Sequence, residues 1–146
     1  MVKKTVSYRD FDGNQRTEDY YFNLTPADVV ELENSMNGGL SQLLEKITKE
    51  NDQTQIIQYF KKIVLDSYGV KSLDGRTHVK TEELRNEFKS TMAYSEIFMD
   101  LATDAKAAAD FVNGIMPPKE VLDKYTERIN KLKEAEGKSA EITPIK

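Results

Sequence analysis

Residues 2–24, VKKTVSYRDFDGNQRTEDYYFNL, form two alternating segments on either side of Asp12-Gly13. In the first, the even positions are Val2, Lys4, Val6 and Tyr8; in the second they are Tyr20, Phe22 and Leu24. Period-2 alternation puts each set on one face of a strand. Directly opposed residues of an antiparallel pair share a face, so even must pair with even. A two-residue Asp12-Gly13 turn violates this, because it sets Val6 against Asp19 and turns the wrong face inward. The pattern therefore predicts a hairpin with a loop of three or five residues and Gly13 in the left-handed conformation. Val6–Tyr20 or Val6–Phe22 are the pairs expected from such a loop.

The rest of the chain reads as helix. Thr25-Pro26-Ala27-Asp28 is a helix start: Thr25 caps, Pro26 suits the first turn and Asp28 meets the positive end of the dipole. Asn37-Gly38-Gly39 stops that helix. Leu40, Leu43, Leu44 and Ile47 share one helical face, and Asn51 or Asp52 caps a third helix that ends at Tyr68-Gly69. Residues 70–80 are polar around Asp74-Gly75 and predict a loop or a small hairpin. Thr81 and Asp104 cap further helices, with another helical pattern between them over Tyr94, Ile97, Phe98 and Leu101. Pro117-Pro118 ends the last of these. Beyond the prolines, Val121, Leu122, Tyr125, Ile129 and Leu132 make an apolar stripe on an otherwise charged helix. Past Gly137 the composition has little capacity to fold. The expected fold is α+β and mostly helical: an N-terminal antiparallel hairpin packed on a bundle of about five to six helices. A single α+β domain is expected over 1–116. An amphipathic helix and flexible tail are expected over 117–146.

Composition limits the function. The 146 residues are enough for one domain with its own core. Residues 25–116 hold 10 basic and 15 acidic side chains, a net −5, while residues 1–24 are neutral and 117–146 carry +1. No segment is a basic patch of the kind that binds nucleic acid. With no Cys, thiol catalysis, thiolate metal sites and disulfides are excluded. No apolar run is long enough to span a bilayer, and the first residues lack a signal-type apolar core.

Nothing assembles into a catalytic set. DFDGN hints at a calcium loop, but counted from Asp10, Gly13 falls at position 4 and Tyr21 at 12, where the loop needs Gly at 6 and Glu at 12. His78, the single histidine, is expected as an exposed loop residue. Glu82-Glu83 follow Thr81 and suit a helix dipole better than paired-carboxylate chemistry. Gly38-Gly39 lacks the Lys-Ser/Thr of a phosphate loop and reads as a C-cap and hinge. Tyr20, Tyr21 and Phe22, with no basic groove beside them, read as core plus one edge tyrosine rather than a stacking platform. No catalytic, cofactor or metal residues are expected. The candidate partner-binding residues are Val121, Leu122, Tyr125, Ile129 and Leu132, which can dock on a partner helix or on the chain's own body.

The order of segments carries a resemblance. DFDGNQRTE runs into YYFNLTPADVVELE, followed by GGLSQLLEKI, IIQYFKKIVLDSYGVKSLDG, LRNEFKSTMAYSEIFMDLATD and AAADFVNGIMP. Over about residues 1–118 this resembles the tail assembly chaperones of long-tailed phages of Gram-positive bacteria. The resemblance implies a non-enzymatic protein of the host cytoplasm, without cofactors. It implies binding to the tape measure protein, assistance to tail tube protein, and a longer frameshifted form diverging after Pro117-Pro118. Protein partners are expected, a homo-oligomer among them, but neither nucleic acid nor membrane. The rival readings are a structural tail or head–tail component kept in the virion, and a small inhibitory protein binding a host factor.

Overall fold

The computed structural model describes residues 1–35 and 53–142. Two compact units divide the chain, Met1–Met116 and Pro117–Lys146. The first opens with β1 (Val2–Arg9) and β2 (Gln15–Phe22), then α1 (Pro26–Ser35) and α2 (Gln53–Ser67). A small hairpin of β3 (Tyr68–Lys71) and β4 (His78–Val79) follows, then α3 (Glu82–Lys89), α4 (Met92–Ala102) and α5 (Ala105–Ile115). The second unit is α6 (Lys119–Ile142). Six helices are thus present among the described residues, beside one antiparallel sheet of order β1-β2-β3-β4, which is the expected α+β class. The stop at Asn37-Gly38-Gly39, the 40–47 helix and the Asn51 or Asp52 cap lie outside the described residues.

The hairpin register obeys the parity rule but not the expected partners. Val2 opposes Phe22, Lys4 opposes Tyr20, Val6 opposes Glu18 and Tyr8 opposes Arg16, so opposed numbers sum to 24. The Val6–Tyr20 and Val6–Phe22 pairs do not form. The reason lies in Asp10. Its carboxylate accepts from the Asp12 N–H at 3.0 Å, the Asn14 N–H at 2.9 Å and the Arg16 Nε at 2.7 Å. Asp10 N donates to Asn14 O and Gly13 N to Asp10 O, leaving a three-residue loop centred on Asp12. Gly13 takes φ +83°, the left-handed value only glycine adopts cheaply. Arg16 and the turn amides hold the Asp10 carboxyl below the usual carboxylate range.

Alternation puts Glu18 on the inner face with Tyr20 and Phe22, and the register sets it opposite Val6. Tyr8 and Tyr20 both donate their hydroxyls to its carboxylate, the latter at 3.1 Å. That carboxylate and burial raise the Tyr8 and Tyr20 phenols, which therefore stay neutral donors. The outer face is polar: Thr5 bonds Asp19 at 2.6 Å and Ser7 lies 3.0 Å from Thr17.

The helix expected to end at Tyr68-Gly69 stops at Ser67, and Tyr68 begins β3 rather than a cap. The passage needs no loop, because the Ser67 carbonyl accepts from Asn23 N at 2.9 Å, directly beyond β2. Phe22 then opposes Tyr68 and Tyr21 opposes Gly69. Residues 70–80 are the small hairpin, turning at Asp74-Gly75.

The core gathers around Phe22, which is fully buried. Its ring lies 5.3 Å from Phe111 on α5, 5.8 Å from Phe88 on α3 and 5.9 Å from Tyr68 on β3. Tyr68 stacks on Phe88 at 4.2 Å, and Phe60 of α2 approaches Phe111 at 6.1 Å. Edge-to-face and offset pairs of this kind add about 0.5–1.5 kcal/mol each beyond their buried area.

The helix ends are closed as the sequence indicates. Thr25 Oγ1 accepts from Asp28 N at 3.1 Å while Asp28 accepts from Thr25 N at 2.8 Å, a reciprocal box. Thr81, Thr91 and Asp104 cap α3, α4 and α5. Met116 is extended, as a residue before proline must be, and α5 stops there.

Three stability outcomes follow. Phe60→Ala costs about 3–5 kcal/mol, since Phe60 is buried. Phe98→Ala costs less than about 2 kcal/mol, because Phe98 is only half-buried against Tyr94. Thr25→Ala costs about 0.5–2 kcal/mol. Urea unfolding of the three variants checks the order; equal losses at Phe60 and Phe98 contradict it.

Candidate partner-binding surface

Among the described residues no group of three His, Cys, Asp or Glu side chains is placed to hold a metal ion. The polar groups that could suggest chemistry are engaged in structure. Glu82 and Glu83 are exposed in the first turn of α3, where they face the dipole. Asp10 organises its turn. Gly38-Gly39 lies outside the described residues.

His78 is not the exposed loop residue expected from sequence. It belongs to β4 and is half-buried, with Nε2 3.0 Å from the Tyr21 carbonyl oxygen. Its ring occupies the space that Gly69 leaves: a Cβ there would sit 2.8 Å from both His78 Nε2 and the Val79 oxygen. Burial lowers the His78 pKa below its ordinary value; the nearby Lys80 ammonium acts in the same sense. Nothing in the local sequence announces this, because the pairing of β2 with β3 that creates the niche joins segments far apart in the chain.

Lys80 was equally hidden. Its Nζ donates to the Asn23 carbonyl and to Asp28 Oδ2, the latter at 2.6 Å. Burial alone would raise Asp28, but Lys80 and the Thr25 N–H outweigh it and hold the carboxyl low. The pair ties the end of β4 to the start of α1. Breaking one partner leaves a partly buried charge, which is why the tie matters more than an exposed ion pair.

The sequence-derived partner residues all lie on α6. The Pro118 carbonyl accepts from Val121 N at 3.0 Å and Leu122 N at 3.1 Å, which closes the first turn. Glu120 sits in that turn, on the favourable end of the dipole. Val121, Leu122 and Ile129 are half-buried, whereas Tyr125 is 37% exposed and Leu132 66%. The Arg128 guanidinium lies 5.6 Å from the Tyr125 ring centre. The structure thus places all five residues on one helix and leaves the later part of the stripe open. The helix continues to Ile142, past Gly137, where composition suggested little folding. One glycine in a helix costs only about 1 kcal/mol, and its neighbours are good helix formers. No described helix is long and apolar enough to cross a membrane.

The model of the family described as phage tail assembly chaperone matches residues 1–144. The chain belongs to the phage tail assembly chaperone family. No curated protein and no solved structure matches it. The match takes in α6 as well as the body, further than the resemblance over 1–118.

The His78 niche generates a pH prediction. His78 is the single histidine of the chain. The folded state disfavours its charged form, so the unfolded chain binds a proton first as pH falls below about 6.5. Stability is full above that pH and declines as pH falls below about 6.5. Urea midpoints across this window show the decline, and His78→Gln flattens it. An identical slope in both proteins contradicts the assignment.

Proposed function

We propose that this chaperone acts by non-catalytic protein binding in the host cytoplasm, with the tape measure protein as its partner and the α6 stripe as its contact surface. The observation that carries the reading is the apolar stripe of Val121, Leu122, Tyr125, Ile129 and Leu132, open at Tyr125 and Leu132 on a helix that is mostly charged elsewhere. An amphipathic helix of this kind lays its apolar face against a helical partner. Membership of a tail assembly chaperone family supports a protein partner within tail assembly. Covering the apolar faces of helical segments in such a partner until tube subunits take over is the proposed chaperone step. Residues 1–116 form the folded body, and residues 117–146 supply the contact helix.

Co-expression with the tape measure protein tests this. Ile129→Glu/Leu132→Glu weakens capture at least tenfold, roughly 1.4 kcal/mol or more, and leaves the urea midpoint of the body unchanged. Truncation after Met116 abolishes capture and spares the body. Undiminished capture by both proteins rejects α6 as the contact surface. A body that unfolds on truncation shows instead that the stripe serves the chain's own core.

A further inference from the structure

The charges of α6 are sorted around the helix. With about 3.6 residues per turn, Val121, Leu122, Tyr125, Ile129 and Leu132 fall on one side. Over residues 119–135 the charged positions next to that stripe are all basic. Arg128, Lys124 and Lys131 follow it on one flank, and Lys133 and Lys119 on the other. Glu120, Asp123, Glu127 and Glu134 gather on the opposite side. All of these charged side chains are exposed. The Arg128 guanidinium lies at the stripe itself, 5.6 Å from the Tyr125 ring centre.

No ion pair neutralises Arg128 or Lys133 among the described residues. Charges at the edges of an apolar helical seam set which partner it accepts and in which direction. Basic edges on both flanks attract a stripe edged with carboxylates. A second copy of α6 fits worse in either direction. Parallel pairing sets Arg128 against Lys133 of the other copy, and antiparallel pairing with full overlap of the stripe brings the two Arg128 side chains together. An anionic bilayer also fits worse. A helix lying on lipid draws on net positive charge, whereas α6 balances six basic against six acidic side chains.

We propose that α6 selects its partner by charge: the segment it takes is an amphipathic helix whose apolar stripe is flanked by aspartate and glutamate. The inference rests on the reading of α6 as the contact surface and adds the chemistry of what it contacts. Tyr125 and Leu132 supply apolar attraction. Arg128 and Lys133, one on each flank, discriminate between acidic and basic partner helices.

The test uses the full chain and two synthetic peptides of about twenty residues, long enough to form a helix. Both carry the same leucine stripe; one flanks it with glutamate and the other with lysine. The glutamate peptide binds roughly tenfold tighter at low salt, and most of that advantage disappears at about 1 M salt. Arg128→Glu/Lys133→Glu reverses the preference, while Ile129→Glu/Leu132→Glu weakens both peptides. Equal affinity for the two peptides, with binding still lost in Ile129→Glu/Leu132→Glu, overturns the charge selection and leaves α6 as the contact surface. Undiminished binding of both peptides by Ile129→Glu/Leu132→Glu removes α6 from the contact, and both readings fall. Binding of neither peptide also overturns the proposal. Tighter capture by phosphatidylserine vesicles than by the glutamate peptide gives the stripe to lipid, and a dimer of the free chain that Leu132→Glu dissolves gives it to a second copy; either outcome overturns the proposal.

Discussion

The ring of Phe22 is the contact on which the body depends. It sits at the end of β2, and the three rings around it come from β3, α3 and α5. Phe22 is fully buried, and truncating such a ring removes both transfer energy and the packing of its neighbours. Tyr68 reaches it only because α2 ends directly into β3, and Phe88 stacks on Tyr68 in turn. The hairpin, the helices and the small second hairpin are thus held by one aromatic cluster.

Polar ties set the geometry in which those rings pack. Asn23 N bonds the Ser67 carbonyl, and Leu24 N bonds the Ile115 carbonyl, both at 2.9 Å. Lys80 closes the same corner by reaching Asn23 and Asp28. These bonds satisfy backbone groups at element ends that would otherwise be buried unpaired. They also make Met1–Met116 a unit with its own core and its own closed ends.

Local chemistry made much of this legible. Thr25, Thr81 and Asp104 cap helices because their side chains reach amides within three residues, and that reach is visible in sequence. The parity of the hairpin was legible for the same reason, since alternation alone decides it. Its centre was not, because it rests on Asp10 accepting from two turn amides and Arg16. The pairing of β2 with β3, the half-buried state of His78 and the reach of Lys80 to Asp28 leave no local signature. Each joins residues about fifty apart in the chain, and no pattern within either segment encodes the meeting. The stripe on α6 was readable by its spacing, but its partial exposure was not.

On the proposed function, Met1–Met116 holds itself together while α6 is kept for a partner. Native-state hydrogen exchange of the full chain, alone and with the tape measure protein, tests it most directly. In the free chain, exchange is expected to be slow and globally limited at Phe22, Tyr68 and Phe111 and faster by orders of magnitude from Tyr125 to Leu132. On adding the partner, protection rises at Tyr125, Ile129 and Leu132 and stays unchanged at the core. Amides of α6 as slow as those of Phe22 in the free chain, with no change on adding the partner, contradict it.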